Sequence, residues 1–220
     1  MRQKATIPSR AFLKAAIIES SKPEKGVLMK PSRIVLTGGP CAGKTTIAQV
    51  LEKAFADRVT VLPESASLLF SGGFPRWPEV KSLEALQRAI YRVQVELETC
   101  YGTRFPQRIL VMDRGTVDGA GYWPKGPEDF YRSMNTAVAT ELGRYDLAIY
   151  LESAGREAYD LNRQRNPDRN ESWEEAAALD LVTRHQWEVH PRFLVIKNNT
   201  SFSSKIAAVL TAVEGELKKV

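Results

Sequence analysis

Five short apolar runs punctuate the chain, and between them apolar residues return every three or four positions. The runs are 33–37 (RIVLT), 59–62 (VTVL), 109–112 (ILVM), 147–151 (LAIYL) and 193–196 (FLVI). Continuous apolar runs of this length predict strands buried on both faces of a parallel sheet. Helices are predicted at 44–56, 79–101, 128–142, 157–165, 172–189 and 203–217. The second is the clearest, with Leu83, Leu86, Ile90, Val93 and Leu97 on one face. Asn166-Pro167-Asp168 ends the fourth, and Ser172 with Glu175 suits a capping box opening the fifth. Strands alternating with helices imply an α/β fold with right-handed crossovers and helices on both sides of the sheet.

Residues 1–31 stand apart from this pattern. Arg2, Lys4, Arg10 and Lys14 precede an apolar stretch, Ala15 to Ile18, and no acid occurs before Glu19. This basic extension is expected to be a poorly ordered tail; a targeting peptide or a membrane-surface contact are the other readings. Pro23, Gly26 and Pro31 mark its join to a single domain over 32–220.

Composition narrows the class. At 220 residues, 43% hydrophobic and 26% charged, the chain is globular, with room for one sizeable core. A net charge of +5 suits polyanionic ligands and is too mild to argue for nucleic acid. No apolar run has the length of a membrane span. Two cysteines, Cys41 and Cys100, form no disulfide framework, so a cytoplasmic location is the default expectation.

The candidate chemistry begins right after the first strand. Gly38 to Thr46 reads GGPCAGKTT, in which Gly38, Gly43, Lys44 and Thr45 satisfy G-x-x-x-x-G-K-[ST] between a strand and a helix. Small residues let the backbone curl so that successive N–H groups surround a phosphate chain. The helix N-terminus adds positive potential. Lys44 reaches the outer phosphates, and the Thr45 hydroxyl can ligate Mg²⁺. Gly39, Pro40, Cys41, Ala42 and Thr46 complete the predicted nucleotide-binding loop. Cys41 is either a small filler or a thiol whose modification would block the loop.

Strand ends supply the other candidates. Asp113 closes a buried run and can hold Mg²⁺ or its water; the alternative is a turn cap. Arg114 beside it can touch phosphate or substrate, or form a structural ion pair. Glu64, after the second strand, can accept the proton of an attacking hydroxyl or fix a ribose; the alternative is an acid favoured by a helix dipole. Arg76 and Trp77 on loop 71–78, with Phe74, Tyr122 and Trp123, line an acceptor pocket or pack in the core. Arg163, Arg165 and Arg169 lie where a lid can close over a transferred phosphoryl group, with Arg169 the first choice; the alternative is a solvated basic face. His185 and His190 show no metal spacing.

These stretches carry a resemblance. GGPCAGKTT, MDRGTVDG and the segment Arg169 to Asn198, with RNESWEEA, LD, WEVHP and VIKN, resemble the AAA-type ATPase group. That group includes the ribosylnicotinamide-kinase domain of bacterial NAD-regulating proteins and the TRPL-translocation-defect GTP-binding proteins of flies. The likeness spans about residues 33 to 218 of the sequence. It implies a nucleoside- and nucleotide-kinase fold, a three-layer α/β/α sandwich of five parallel strands in the order 2-3-1-4-5. It implies a nucleoside triphosphate with Mg²⁺ on Thr45 and Asp113, and Arg169 as the lid residue. Glu64 is similar to the strand-end carboxylate that contacts the acceptor hydroxyl in deoxynucleoside-type kinases. With only some 30 residues upstream of the first strand, an adenylyltransferase domain before the loop is not expected.

Two functions follow. One is a small-molecule kinase binding ATP and a nucleoside-like or ribosyl acceptor. The other is a nucleotide-dependent switch with slow hydrolysis and a protein or lipid partner. Lys197-Asn198-Asn199 lacks the acid of a guanine-reading N-K-x-D signature, which favours ATP over GTP. No second core domain or dense basic stripe supports a nucleic-acid motor.

Overall fold

A computed structural model describes residues 31–153, 155–165, 172–198 and 201–219. Five strands, β1 (Arg33–Thr37), β2 (Val59–Leu62), β3 (Ile109–Asp113), β4 (Leu147–Leu151) and β5 (Phe193–Ile196), form one sheet. All neighbours are parallel and the order is β2-β3-β1-β4-β5, the order implied by the sequence resemblance. β3 and β4 are buried at every position, as continuous apolar runs in a doubly covered sheet must be.

Alternation along each strand sends side chains to two cores. On one face Ile34, Leu36 and Ile149 pack with Ile47 and Leu51 of α1 (Lys44–Ala54) and Val209 and Val213 of the last helix, Phe202–Leu217. On the other face Val35, Met112 and Ala148 pack with Leu142, Tyr145 and Trp187. Between these ends of the chain lie α2 (Ser65–Ser71), α3 (Val80–Arg104), α4 (Asp118–Gly121), α5 (Pro127–Ser133), α6 (Val138–Leu142), α7 (Arg156–Arg165) and α8 (Trp173–Trp187); the last helix is α9. The capping box is present, with the Ser172 hydroxyl accepting from the Glu175 N–H and the Glu175 carboxylate accepting from the Ser172 N–H.

The structure departs from or adds to the sequence pattern at three places. The stretch 128–142 is two helices, because Asn135 takes φ 54 and turns the chain between α5 and α6. Thr136 then donates to Glu141 at 2.6 Å, which fixes the opening of α6. Two short helices, α2 and α4, follow strand ends in stretches to which the sequence pattern assigned no element. Finally, the buried positions of α3 are Leu86, Gln87, Gln94 and Glu98, so its innermost face is mostly polar. The apolar stripe of Leu83, Ile90, Val93 and Leu97 lies half-buried at the flank.

Register decides where the site falls. Leu36 pairs with Asp113 and Leu62 with Met112, so the carboxyl ends of β1, β3 and β2 stand side by side. Among the described residues no helix is long and apolar enough to cross a membrane.

Ile149 sits fully buried in β4 between both sheet neighbours. Its replacement by Ala is expected to lower unfolding free energy by about 2–5 kcal/mol in urea titrations. A loss below about 1 kcal/mol would contradict the packing described.

Candidate active site

The loop from β1 to α1 closes around the Lys44 ammonium. Lys44 is 8% exposed, and its Nζ donates to the carbonyls of Gly38 at 2.9 Å and Gly39 at 2.8 Å. Gly38 holds φ 129, and a β-carbon there would collide with the Leu151 carbonyl at the end of β4. Gly43 holds φ 87 at the start of α1, with the Phe202 ring 2.5 Å from where its β-carbon would sit. Neither position tolerates a side chain. Cys41 also takes a left-handed backbone, φ 60, inside the turn. Burial, then the Arg114 guanidinium, push the Lys44 ammonium down to about 8, against the opposing pull of Asp113, Glu64 and Asp118.

Thr45 opens α1 and donates its hydroxyl to Asp113 Oδ2 at 2.7 Å. The other oxygen, Asp113 Oδ1, is buried and has no hydrogen-bond partner among the described residues. Burial raises this carboxyl above its ordinary range, with Lys44 opposing. A hydroxyl beside a buried carboxylate with a spare oxygen is a hard-oxygen donor set, and it fits Mg²⁺. Among the described residues no group of three His, Cys, Asp or Glu forms a metal cage, so phosphate oxygens would have to complete the shell.

Glu64 and Arg114 face each other across the ends of β2 and β3. Arg114 Nε donates to Glu64 Oε1 at 3.0 Å, and its Nη1 donates to Asp118 Oδ1 at 3.0 Å. Ser67 donates to the other Glu64 oxygen. Glu64 is the N-cap residue of α2, yet its carboxylate makes no bond to the helix amides and is held by Arg114 and Ser67 instead. Burial would raise its carboxyl, yet Arg114, Ser67 and Lys44 outweigh burial and hold it below the usual carboxylate value. Arg114 itself stays charged, its pKa raised well above normal by Tyr122, Asp118, Glu64 and Asp113 despite burial. Its guanidinium lies 5.5 Å from the Tyr122 ring centroid.

The structure thus gathers Lys44, Thr45, Asp113, Glu64, Arg114 and Tyr122 at one end of the sheet. Trp123 instead packs edge-on against Phe130 in a separate apolar cluster. Arg76 stacks over Phe70 at 4.4 Å, and Trp77 is 61% exposed on the loop after α2. Arg163 and Arg165 fall on α7 with side chains outside the described set, and Arg169 lies outside the described residues.

Sequence reading missed Asp118, which is 3% exposed and accepts from Thr37, Arg114, the Gly115 N–H and Trp187 Nε1. Its signal was the four-residue spacing from Arg114 in MDRGTVDG. Lys205 was missed too. It is buried at the start of α9 and donates to the carbonyls of Glu152 (2.7 Å) and Ala42 (3.4 Å), tying the loop to the end of β4. A lone Lys in a helix gives no such signal.

A glycine-rich loop cradling a lysine between β1 and α1, in a 2-3-1-4-5 parallel sheet, defines a phosphate-loop nucleotide-binding protein with a nucleoside-kinase fold. The sequence profile of the AAA domain family matches residues 33–205, and the chain belongs to that family. Among solved structures it is similar to the deoxyadenosine kinase from M. mycoides with bound dCTP. The TM-score is 0.52 and the identity 14%, covering 83% of this chain and 99% of that one. At this identity the likeness shows the fold. No curated protein sequence gives a significant match.

Lys44 yields the prediction of this site. Phosphate needs the charged ammonium, which in the free chain is lost as pH rises through about 8. Triphosphate affinity is therefore expected to fall about tenfold between pH 7 and pH 9 in a fluorescent-nucleotide titration. A flat profile would contradict the burial of the ammonium.

Proposed function

We propose that the chain is a Mg²⁺-dependent phosphotransferase that uses ATP and acts on a nucleoside-like or ribosyl hydroxyl. The observation that carries this reading is the Glu64–Arg114 pair, set on the strand ends next to Thr45 and Asp113. A nucleotide-binding switch needs the phosphate loop and the metal side. It does not need an ionised carboxylate beside them with an aromatic ring, Tyr122, at its arginine. The sequence likeness to ribosylnicotinamide-kinase domains supports a ribosyl acceptor, and the absence of a guanine signature supports ATP.

Each residue has a role in that reading. Lys44 and the loop N–H groups bind the triphosphate tail. Thr45 and Asp113 would hold Mg²⁺, which would neutralise phosphate charge. Glu64, ionised at neutral pH, takes the proton of the acceptor hydroxyl. The hydroxyl oxygen bonds to the terminal phosphorus, the bond from that phosphorus to the bridging oxygen breaks, and the diphosphate leaves. Arg114 holds Glu64 and presents positive charge toward the transferred group. Arg169, outside the described residues, is the lid by its place in the sequence and by the resemblance.

The test is ADP release with Mg-ATP against a panel of nucleosides and ribosides. One acceptor is expected to raise release steeply. With that acceptor, Glu64→Gln is expected to lower the rate by about 10²–10⁴ and leave ATP affinity within about twofold. A slow release that no acceptor changes would overturn the kinase reading.

A further inference from the structure

The turn after β3 carries both Asp113 and Arg114, and its shape is costly. Arg114 sits at φ 71, a left-handed backbone without a glycine's freedom. Something must hold the turn there. At its near end the Arg114 N–H donates to the Leu36 carbonyl at 3.0 Å. Asp118 draws in the Gly115 N–H from within the turn itself. The remaining strut comes from the opposite side, outside the groups assigned to the reaction.

That strut is Tyr145. The Thr116 N–H donates to the Tyr145 hydroxyl oxygen at 2.7 Å, and the Thr116 hydroxyl lies 3.2 Å from the same oxygen. The Tyr145 hydroxyl in turn donates to Glu98 Oε1 at 2.8 Å. Glu98 is fully buried in α3 and is fixed by Arg144 (2.7 Å), Arg33 (3.3 Å) and Gln94 (3.0 Å). The Tyr145 ring packs edge-on against Trp187, at 5.3 Å between centroids. A β-carbon at Gly115 would come within 2.8 Å of the Tyr145 hydroxyl, so the phenol bears directly on the turn. Between the two anchored N–H groups, Arg114 and Thr116, lies only Gly115.

We propose that Tyr145, held by Glu98, is a positioning residue for the metal and phosphate end of the site. It fixes residue 116 so that the strained Arg114 backbone stays put and aims the Asp113 carboxylate at Thr45. Removing the hydroxyl leaves the Thr116 N–H buried without a partner. The turn then relaxes toward an ordinary backbone, and Asp113 turns with it. The inference rests on the reading of Thr45 and Asp113 as the Mg²⁺ side of the nucleotide site.

The experiment measures ATP affinity with and without Mg²⁺ in the full chain and in Tyr145→Phe. In the unmutated chain Mg²⁺ is expected to tighten binding. In Tyr145→Phe the Mg²⁺-free affinity, set by Lys44 and the loop, is expected to stay within about twofold, while the Mg²⁺-driven tightening shrinks about tenfold. Full tightening in Tyr145→Phe overturns the inference and leaves the proposed function standing. A tenfold loss of affinity with and without Mg²⁺ alike makes Tyr145 merely structural, which also overturns it. No tightening in the unmutated chain removes the Thr45–Asp113 reading and the inference together. Should the variant fail to fold, hydrogen exchange in the unmutated chain decides. The Thr116 amide is expected to exchange as slowly as the β3 core, and exchange at the rate of an open loop overturns the strut.

Discussion

The structure depends on one ammonium group held inside a backbone ring. Lys44 reaches back from the first turn of α1 to the carbonyls of Gly38 and Gly39, and the loop must curl tightly for that reach to close. The curl is possible because Gly38 lies hard against the Leu151 carbonyl, which fixes the loop to β4. β4 can serve as that wall only because it pairs with β1 and is buried on both faces. The two apolar cores therefore do more than stabilise the sheet. They set the distance between the end of β4 and the start of α1. Lys205, bonded to the Glu152 and Ala42 carbonyls, braces the same joint from α9.

Strand order turns this anion cup into a site with a direction. β1, β3 and β2 are neighbours in that sequence, so the loop, Asp113 and Glu64 follow one another along the carboxyl edge of the sheet. Charges alternate along that edge from Lys44 to Asp113, Arg114 and Glu64. The alternation sets each of these charges beside one of opposite sign, in a buried setting where lone charges would be costly. It also separates two carboxyls by environment. Asp113, poorly solvated with an oxygen to spare, is pushed up; Glu64, held by Arg114 and Ser67, is pushed down. Glu64 therefore stays ionised at neutral pH, while Asp113 keeps one oxygen without a hydrogen-bond partner among the described residues.

Much of this was legible in the sequence because its physics is local. The five strands are continuous apolar runs, and the phosphate loop is a spacing of glycines ahead of a lysine. Asp113 stands out as an acid ending such a run. What escaped notice is non-local. Asp118, Glu98 and Tyr145 become a network only when α3, the β3 turn and the start of β4 meet, and each alone resembles an ordinary polar residue. The buried polar face of α3 hides behind a flanking apolar stripe with regular helical spacing. Tyr122 and Trp123 are adjacent in sequence yet part company, one to Arg114 and the other to Phe130. The break at Asn135 depends on one residue entering a left-handed conformation, for which asparagine is only a weak signal.

On this reading the Lys44 loop captures a triphosphate tail. Calorimetric titration of the full chain with ATP in the presence of magnesium tests it most directly. Saturable heat with one nucleotide per chain is expected, abolished by Lys44→Ala. Absence of heat with either ATP or GTP from a folded chain would contradict it.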